Sequence, residues 1–271
     1  MKPAFKTVLA LLVVVAFAYT ACTKSQTSAT NTTNTATLSK QLALGLYNSL
    51  SGKYGGANIN DGIKVPASLS PYSKGPRINS VTPFCGYVID TTYSNHTQSG
   101  DTSRVFGGHF KFTFGCSASI LDSYLLSDTV TNTESSSTFN NVFSISQSYF
   151  VKALDATYKT SSVEGYINNS FHTSVLAGAV TTQYHNLDSQ YGLHNVKVDV
   201  SSGLADVTEG TANFYAQVAN LDPTTPPDGY FGSFSGTITF IGNHTAKVSI
   251  TVGNDTKAYT VNMLTGVVTE G

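Results

Sequence analysis

Charge is scarce in this chain of 271 residues: Asp, Glu, Lys and Arg make up 11% of it, against about a quarter in an ordinary globular protein, and the formal net charge is −1. With no basic run or stripe to neutralise phosphates, nucleic acid is excluded as a partner. Arginine is scarcer still, with only Arg77 and Arg104 to supply a clamp for phosphate or carboxylate. Six histidines, His96, His109, His172, His185, His194 and His244, fall without H-x-H or H-x-x-x-H spacing, so neither a metal nor a cofactor is expected. The sixteen carboxylates are dispersed, "GKYGG" lacks the pattern of a phosphate loop, and "GSFSG" has Phe234 where a nucleophile elbow needs serine. A hydrolase is therefore the least favoured of the functional classes considered.

Long apolar runs are also missing, with one short exception. Lys2 and Lys6 precede Val8–Ala18 ("VLALLVVVAFA"), a basic region followed by an apolar core, the pattern of a secretory signal peptide. That run is too short to span a bilayer, which needs about 20 apolar residues. Ala16-Phe17-Ala18 fits ordinary cleavage before Tyr19. The competing site, Tyr19-Thr20-Ala21-Cys22, resembles the lipobox of bacterial lipoproteins, although Tyr19 stands where that family usually carries Leu, Val or Ile. The resemblance implies that residues 1–21 are removed, that Cys22 becomes a lipidated first residue, and that the protein sits in the cell envelope as an outer-membrane lipoprotein.

Cysteine parity bears on that choice. The chain has three cysteines in an exported, oxidising context, and an odd count needs an explanation for the third. If a lipid consumes Cys22, then Cys85 and Cys116 remain as a pair. "CGYVID" sets Cys85, Tyr87 and Ile89 on one strand face, and "GHFKFTFGC" sets Phe110, Phe112, Phe114 and Cys116 on another. A hairpin centred on Gly100-Asp101 places Cys85 opposite Cys116, Tyr87 opposite Phe114 and Ile89 opposite Phe112. Directly opposed residues lie about 4.5–5.5 Å apart, within disulfide range.

Residues 22–36, rich in Thr, Ser and Asn, read as a flexible tether. A single domain then occupies 37–271. It begins with a helix over 37–51, capped by Thr37, carrying Leu38, Leu42, Leu46 and Leu50 at near-helical spacing, weakened by Gly45 and stopped by Gly52. Lys53–Ser80 reads as a long connector. Beyond Val81 the alternation is that of strands, separated by turn signals such as Gly242-Asn243 and Gly253-Asn254-Asp255. The expected fold is all-β: an antiparallel meander of roughly ten to twelve strands, dry on one face, forming a sandwich, a barrel or a strongly curved open sheet, with one N-terminal helix.

For function the leading expectation is a non-enzymatic binding or interaction module. It would be held at the membrane by its N-terminal lipid and take a glycan, a lipid-like molecule or a protein partner; the alternative is a structural or adhesive surface subunit. "QYHNLDSQYGLH" gathers Tyr184, His185, Asp188 and Tyr191 in what reads as a loop between strands, a setting suited to sugar or peptide recognition. Asp90-Thr91-Thr92 and Asp128-Thr129-Val130 resemble the O-glycosylation acceptor motif of Bacteroidota, which implies Thr91 and Thr129 as acceptors.

Overall fold

Alternation of apolar and polar residues carries eleven strands, paired strictly with their neighbours in chain order as one antiparallel sheet. They are β1 (Val88–Ser99), β2 (Thr102–Ser117), β3 (Ile120–Ser135), β4 (Phe139–Ala153), β5 (Thr160–Ala177) and β6 (Val180–Asp199). The meander continues through β7 (Asp206–Leu221), β8 (Tyr230–Gly242), β9 (Thr245–Val252), β10 (Asp255–Asn262) and β11 (Val268–Glu270). This computed structural model describes residues 34–54, 57–63, 83–221 and 230–271, all within one unit, Thr33–Gly271. Cys22, the expected signal peptide and the expected tether up to Thr33 lie outside the described residues.

The first hairpin has the register that its turn dictates. Val88 pairs with Thr113, Ile89 with Phe112 and Ser99 with Thr102. Cys85 and Cys116 form a disulfide with their Cα atoms 5.5 Å apart, and the Tyr87 and Phe114 rings stack at 6.2 Å between centroids.

Among the described residues one α-helix, α1 (Thr35–Leu50), packs against the sheet. It begins two residues before the expected Thr37. The cap is Asn34, whose side-chain oxygen accepts from the Thr37 N–H. Asn34 stands in a stretch where every other residue is a competent cap, so propensity alone does not choose among them. Gly52, with φ of 67°, ends the helix as expected.

Ten of the sixteen helical residues are buried: Thr35, Leu38, Ser39, Leu42, Ala43, Gly45, Leu46, Tyr47, Ser49 and Leu50. At about 100° per residue they cover an arc of about 200°, wider than the face that a flat support can bury. The sheet must therefore wrap the helix. On one side, the turn Leu42–Gly45 meets β6, where the Tyr191 hydroxyl donates to the Leu42 carbonyl at 3.1 Å. On the other, Leu44 lies against Gly266, in the turn after β10. Four strand spacings separate β6 from β10, about 19 Å in a flat sheet, whereas a helix is about 10–12 Å across. Of the three architectures expected, the strongly curved open sheet is the one adopted, and it does not close into a barrel.

The inner face of the curl is apolar and the outer face polar. Phe110, Phe112 and Phe114 of β2, Tyr149 and Val151 of β4, Ile238 and Phe240 of β8, and Val248 and Ile250 of β9 all point inward and are buried. Close packing of β8 between β7 and β9 needs Gly236, where a Cβ would collide with the Phe214 ring on one side and the Ser249 carbonyl on the other. Part of the expected connector is in fact core, since Ala57, Ile59 and Ile63 are buried against the same inner face. Residues 64–82 lie outside the described residues.

Because α1 fills the curl, its central leucine is the position where loss of volume is hardest to relieve. Leu46→Ala is expected to lower the unfolding free energy by about 3 kcal/mol, measured by urea titration. A loss below about 1 kcal/mol would show that the sheet closes without the helix.

Candidate functional site

The inner face carries polar side chains in two places. One is buried beneath the C-terminal turn of α1. Asp128 on β3 and Gln147 on β4 are direct cross-strand partners and both are 1% exposed. Gln147 Nε2 donates to the Ser49 carbonyl at 3.0 Å, the Ser49 hydroxyl donates to Asn169 Oδ1 on β5 at 3.0 Å, and the Ala57 N–H donates to Asp128 Oδ2 at 3.1 Å. Asp128 Oδ1 and Gln147 Oε1 are buried acceptors without a donor. A proton on Asp128 Oδ1 would turn that oxygen from an unpartnered acceptor into a donor. Desolvation drives in the same direction, raising the Asp128 carboxyl to about 7 against the lowering effect of the Ala57 and Gln147 backbone N–H groups. Tyr124 and Tyr149 are close enough to feel the Asp128 charge, and neither brings a positive charge to it.

The second place is open. At the end of the sheet formed by the start of β4, the end of β5, the start of β6 and the end of β7, a pocket of about 380 Å³ is lined by residues that include Phe139, Asn141, Thr173, Val175, His185 and Asn220. Asn141, Thr173, His185 and Asn220 are aligned in register across these four strands. They form one uncharged row of amide, hydroxyl and imidazole groups, all half-buried. Phe139 and Val175, paired across β4 and β5, wall it on one side. Between it and the helix lie the aromatic rings of Tyr54, Phe143 and Phe171, with Tyr54 and Phe171 5.1 Å apart. His185 is held at both nitrogens: Nδ1 faces Asn220 Oδ1 at 2.5 Å and Nε2 faces Gln41 Nε2 of α1 at 3.3 Å. The tautomer with its proton on Nδ1 fits both contacts, as donor to the first and acceptor from the second.

The expected loop cluster is corrected by this geometry. Tyr184, His185, Asp188 and Tyr191 lie on β6, a single strand of 20 residues, and not on a loop. Strand alternation sends them to different places. Tyr184 and His185 border the end pocket. Tyr191 is 2% exposed inside the sheet, with its hydroxyl spent on α1, so it contributes to no ligand surface. Asp188 is on the outer face, where it accepts from Ser170 and faces His172 Nε2 at 3.0 Å.

Ser170, His172 and Asp188 nevertheless do not make a catalytic triad. Serine and carboxylate both meet the same imidazole nitrogen, with Ser170 Oγ 3.1 Å from His172 Nε2. A relay needs the acid on the opposite nitrogen from the nucleophile. Among the described residues there is no group of three or more His, Cys, Asp or Glu side chains placed to hold a metal. Thr129 is exposed on the outer face, whereas the Asp128 before it is buried; Thr91 is half-buried on the inner face of β1. No comparison, whether with protein-family models, curated proteins or solved structures, returns a match.

Asn141, Thr173 and Asn220 were not singled out by sequence, and Asp128 only as the residue before Thr129, yet a signal was present. In "FNNVFSISQSYFV" the inward positions read Phe, Asn, Phe, Ile, Gln, Tyr, Val, so Asn141 and Gln147 interrupt an otherwise apolar face. Asp128 interrupts the inward face Tyr124, Leu126, Val130 in the same way.

The raised Asp128 carboxyl sets a pH dependence. Between the unfolded value near 4 and the folded value near 7, the native state keeps a proton that the unfolded chain has lost, so stability falls as pH rises through this window and levels off above it. Wild type is expected to lose on the order of 4 kcal/mol from this group between about pH 4 and pH 8. Asp128→Asn, which mimics the neutral acid, is expected to remove that part of the slope and to be the more stable protein at pH 8. Urea titrations of both proteins across this range provide the check, and parallel slopes would refute the assignment.

Proposed function

We propose that the protein is an exported, lipid-anchored binding module of the cell envelope, not an enzyme, and that the end pocket takes a neutral polar ligand of the glycan class. The observation that carries the reading is the row Asn141–Thr173–His185–Asn220 in a pocket of about 380 Å³. Amides, a hydroxyl and an imidazole on a rigid sheet, flanked by Phe139 and Val175, match the alternating hydroxyl and C–H surface of a sugar ring. Among the described residues, the lining carries neither carboxylate nor lysine nor arginine. A lipid carrier is disfavoured because α1 occupies the curl that would otherwise hold an acyl chain.

A second reading rests on the sheet's open edge. Strand β1 pairs with β2 alone and offers twelve residues of unpaired backbone on its other side among the described residues. Such an edge accepts a strand from another chain, as a structural or adhesive subunit requires.

A glycan array probed with the protein, followed by calorimetry on any hit, separates the two. Asn141→Ala and Asn220→Ala are each expected to weaken glycan binding about five- to tenfold. The outer-face variant Asp188→Ala should leave it unchanged, and salt should have little effect because the row is uncharged. An array without hits, together with concentration-dependent assembly abolished by proline substitutions in β1, would transfer the function to the edge.

A further inference from the structure

The polar row of the end pocket does not stop at β4. Register carries it two strands further toward β1: Asn141 on β4 is opposite Glu134 on β3, and Glu134 is opposite Arg104 on β2. Alternation puts both residues on the inner face, since Glu134 is in phase with Leu126, Asp128 and Val130, and Arg104 with Phe110, Phe112 and Phe114. Arg104, Glu134, Asn141, Thr173, His185 and Asn220 thus form one line across six neighbouring strands, β2 to β7. At about 4.8 Å per strand the line runs about 24 Å along the sheet, against about 14 Å for the pocket's part of it. One step further inside, Phe143 and Phe171 pair across β4 and β5 and stay half-buried, so aromatic rings lie beneath the middle of the line.

Arg104 and Glu134 form an ion pair that leaves groups to spare. Nε and Nη2 of Arg104 meet the same oxygen, Glu134 Oε1, at 2.8 and 2.6 Å. Glu134 Oε2 keeps its lone pairs and Arg104 Nη1 its two N–H groups, and no hydrogen bond among the described residues uses either. The Arg104 side chain is 64% exposed, so the pair is reachable from water. Exposed pairs of this kind contribute little to stability, and arginine stands at only two positions in the chain. The turns that end these strands are tied together: the Ser137 hydroxyl of the β3–β4 turn donates to Asp101 Oδ2 of the β1–β2 turn at 3.0 Å. That bond holds β2 and β3 in place beside the pocket.

We infer that the end pocket is part of a longer site for an oligosaccharide chain laid across the strands, with Arg104 and Glu134 as the subsite for a ring beyond the pocket. The inference rests on the glycan reading of the pocket and extends it from one ring to a chain. The pair is charged yet compensated, so it suits a neutral ring. Of two neighbouring hydroxyls, one donates to Glu134 Oε2 and the other accepts from Arg104 Nη1. An extended chain of pyranose rings advances by about one strand spacing per ring, so successive rings meet successive strands and about five or six cover the line.

The test is calorimetry with ladders of neutral glucose, mannose and N-acetylglucosamine chains, in α and β linkage, from single rings to about eight. In the ladder that binds, affinity is expected to rise about tenfold or more from short chains of about two rings to long chains of about six, and then to level off. Arg104→Ala and Glu134→Ala should each weaken long-chain binding about five- to tenfold and leave short-chain binding unchanged, whereas Asn141→Ala should weaken both. Thermal melts confirm that each variant is folded. Equal affinity for long and short chains would overturn the extension and leave the pocket reading standing. So would long-chain affinity that ignores both substitutions while Asn141→Ala still lowers it. Tighter binding of a polygalacturonate chain, lost in about 0.5 M salt, would also overturn the extension, because Arg104 would then serve as a counter-ion. Ladders that fail to bind at any length reject the pocket reading itself, and the extension with it.

Discussion

Burial of α1 inside the curled sheet is the constraint from which the rest of the architecture follows. A meander of eleven strands has only local pairings to hold it, and its inward face of Phe, Tyr, Leu, Ile and Val needs a partner of matching width. The helix is that partner. Its Leu38, Leu42, Leu46 and Leu50 stripe gives apolar volume, and Gly45 lets it approach β5 and β6 until the Tyr191 hydroxyl, Asn169 and Phe171 lie within ordinary contact of where a Cβ would be. Sheet curvature and helix burial are two statements of one interaction, because neither surface is covered without the other. A filled centre also means that any ligand must be met at the ends or on the outer face.

Sequence made some of this legible. The first hairpin could be read to the residue, because a turn signal, two cysteines and two apolar faces all demanded one register. Curvature could not be read in that way. Alternation says which side of a strand is dry, but the same alternation serves a sandwich, a barrel or an open sheet, and the deciding fact is a contact between residues as far apart as Leu44 and Gly266. The segment Gln183–His194 was misread as a loop for a related reason. Its inward positions hold His185 and Ser189 between Leu187, Tyr191 and Leu193, and these two polar residues find partners or burial only once α1 and β7 are in place, so the alternation is broken in the local text.

The polar residues beneath α1 show why such interruptions are tolerated. An isolated carboxyl in this position would carry a large desolvation cost, and Asp128 reduces it by holding its proton and by accepting from the Ala57 N–H. The chain of contacts Asp128, Gln147, Ser49, Asn169 ties β3, β4 and β5 to the last turn of the helix. Apolar packing alone would allow α1 to slide along its leucine stripe. Hydrogen bonds to the Ser49 carbonyl and hydroxyl, and from Tyr191 to the Leu42 carbonyl, fix it at one position. The same position brings Gln41 to His185, which lines the end pocket.

The pocket stands at one end of long strands. Along β5, Thr160 lies at the far end and Thr173 in the pocket, a separation of about 40 Å at 3.3 Å per residue. A long antiparallel strand is well suited to carrying such a site. Its hydrogen bonds hold the distance between the two ends rigidly, and its alternation lets α1 be buried on one face while the other stays wet. Sites on turns alone would have neither the spacing nor the stiffness.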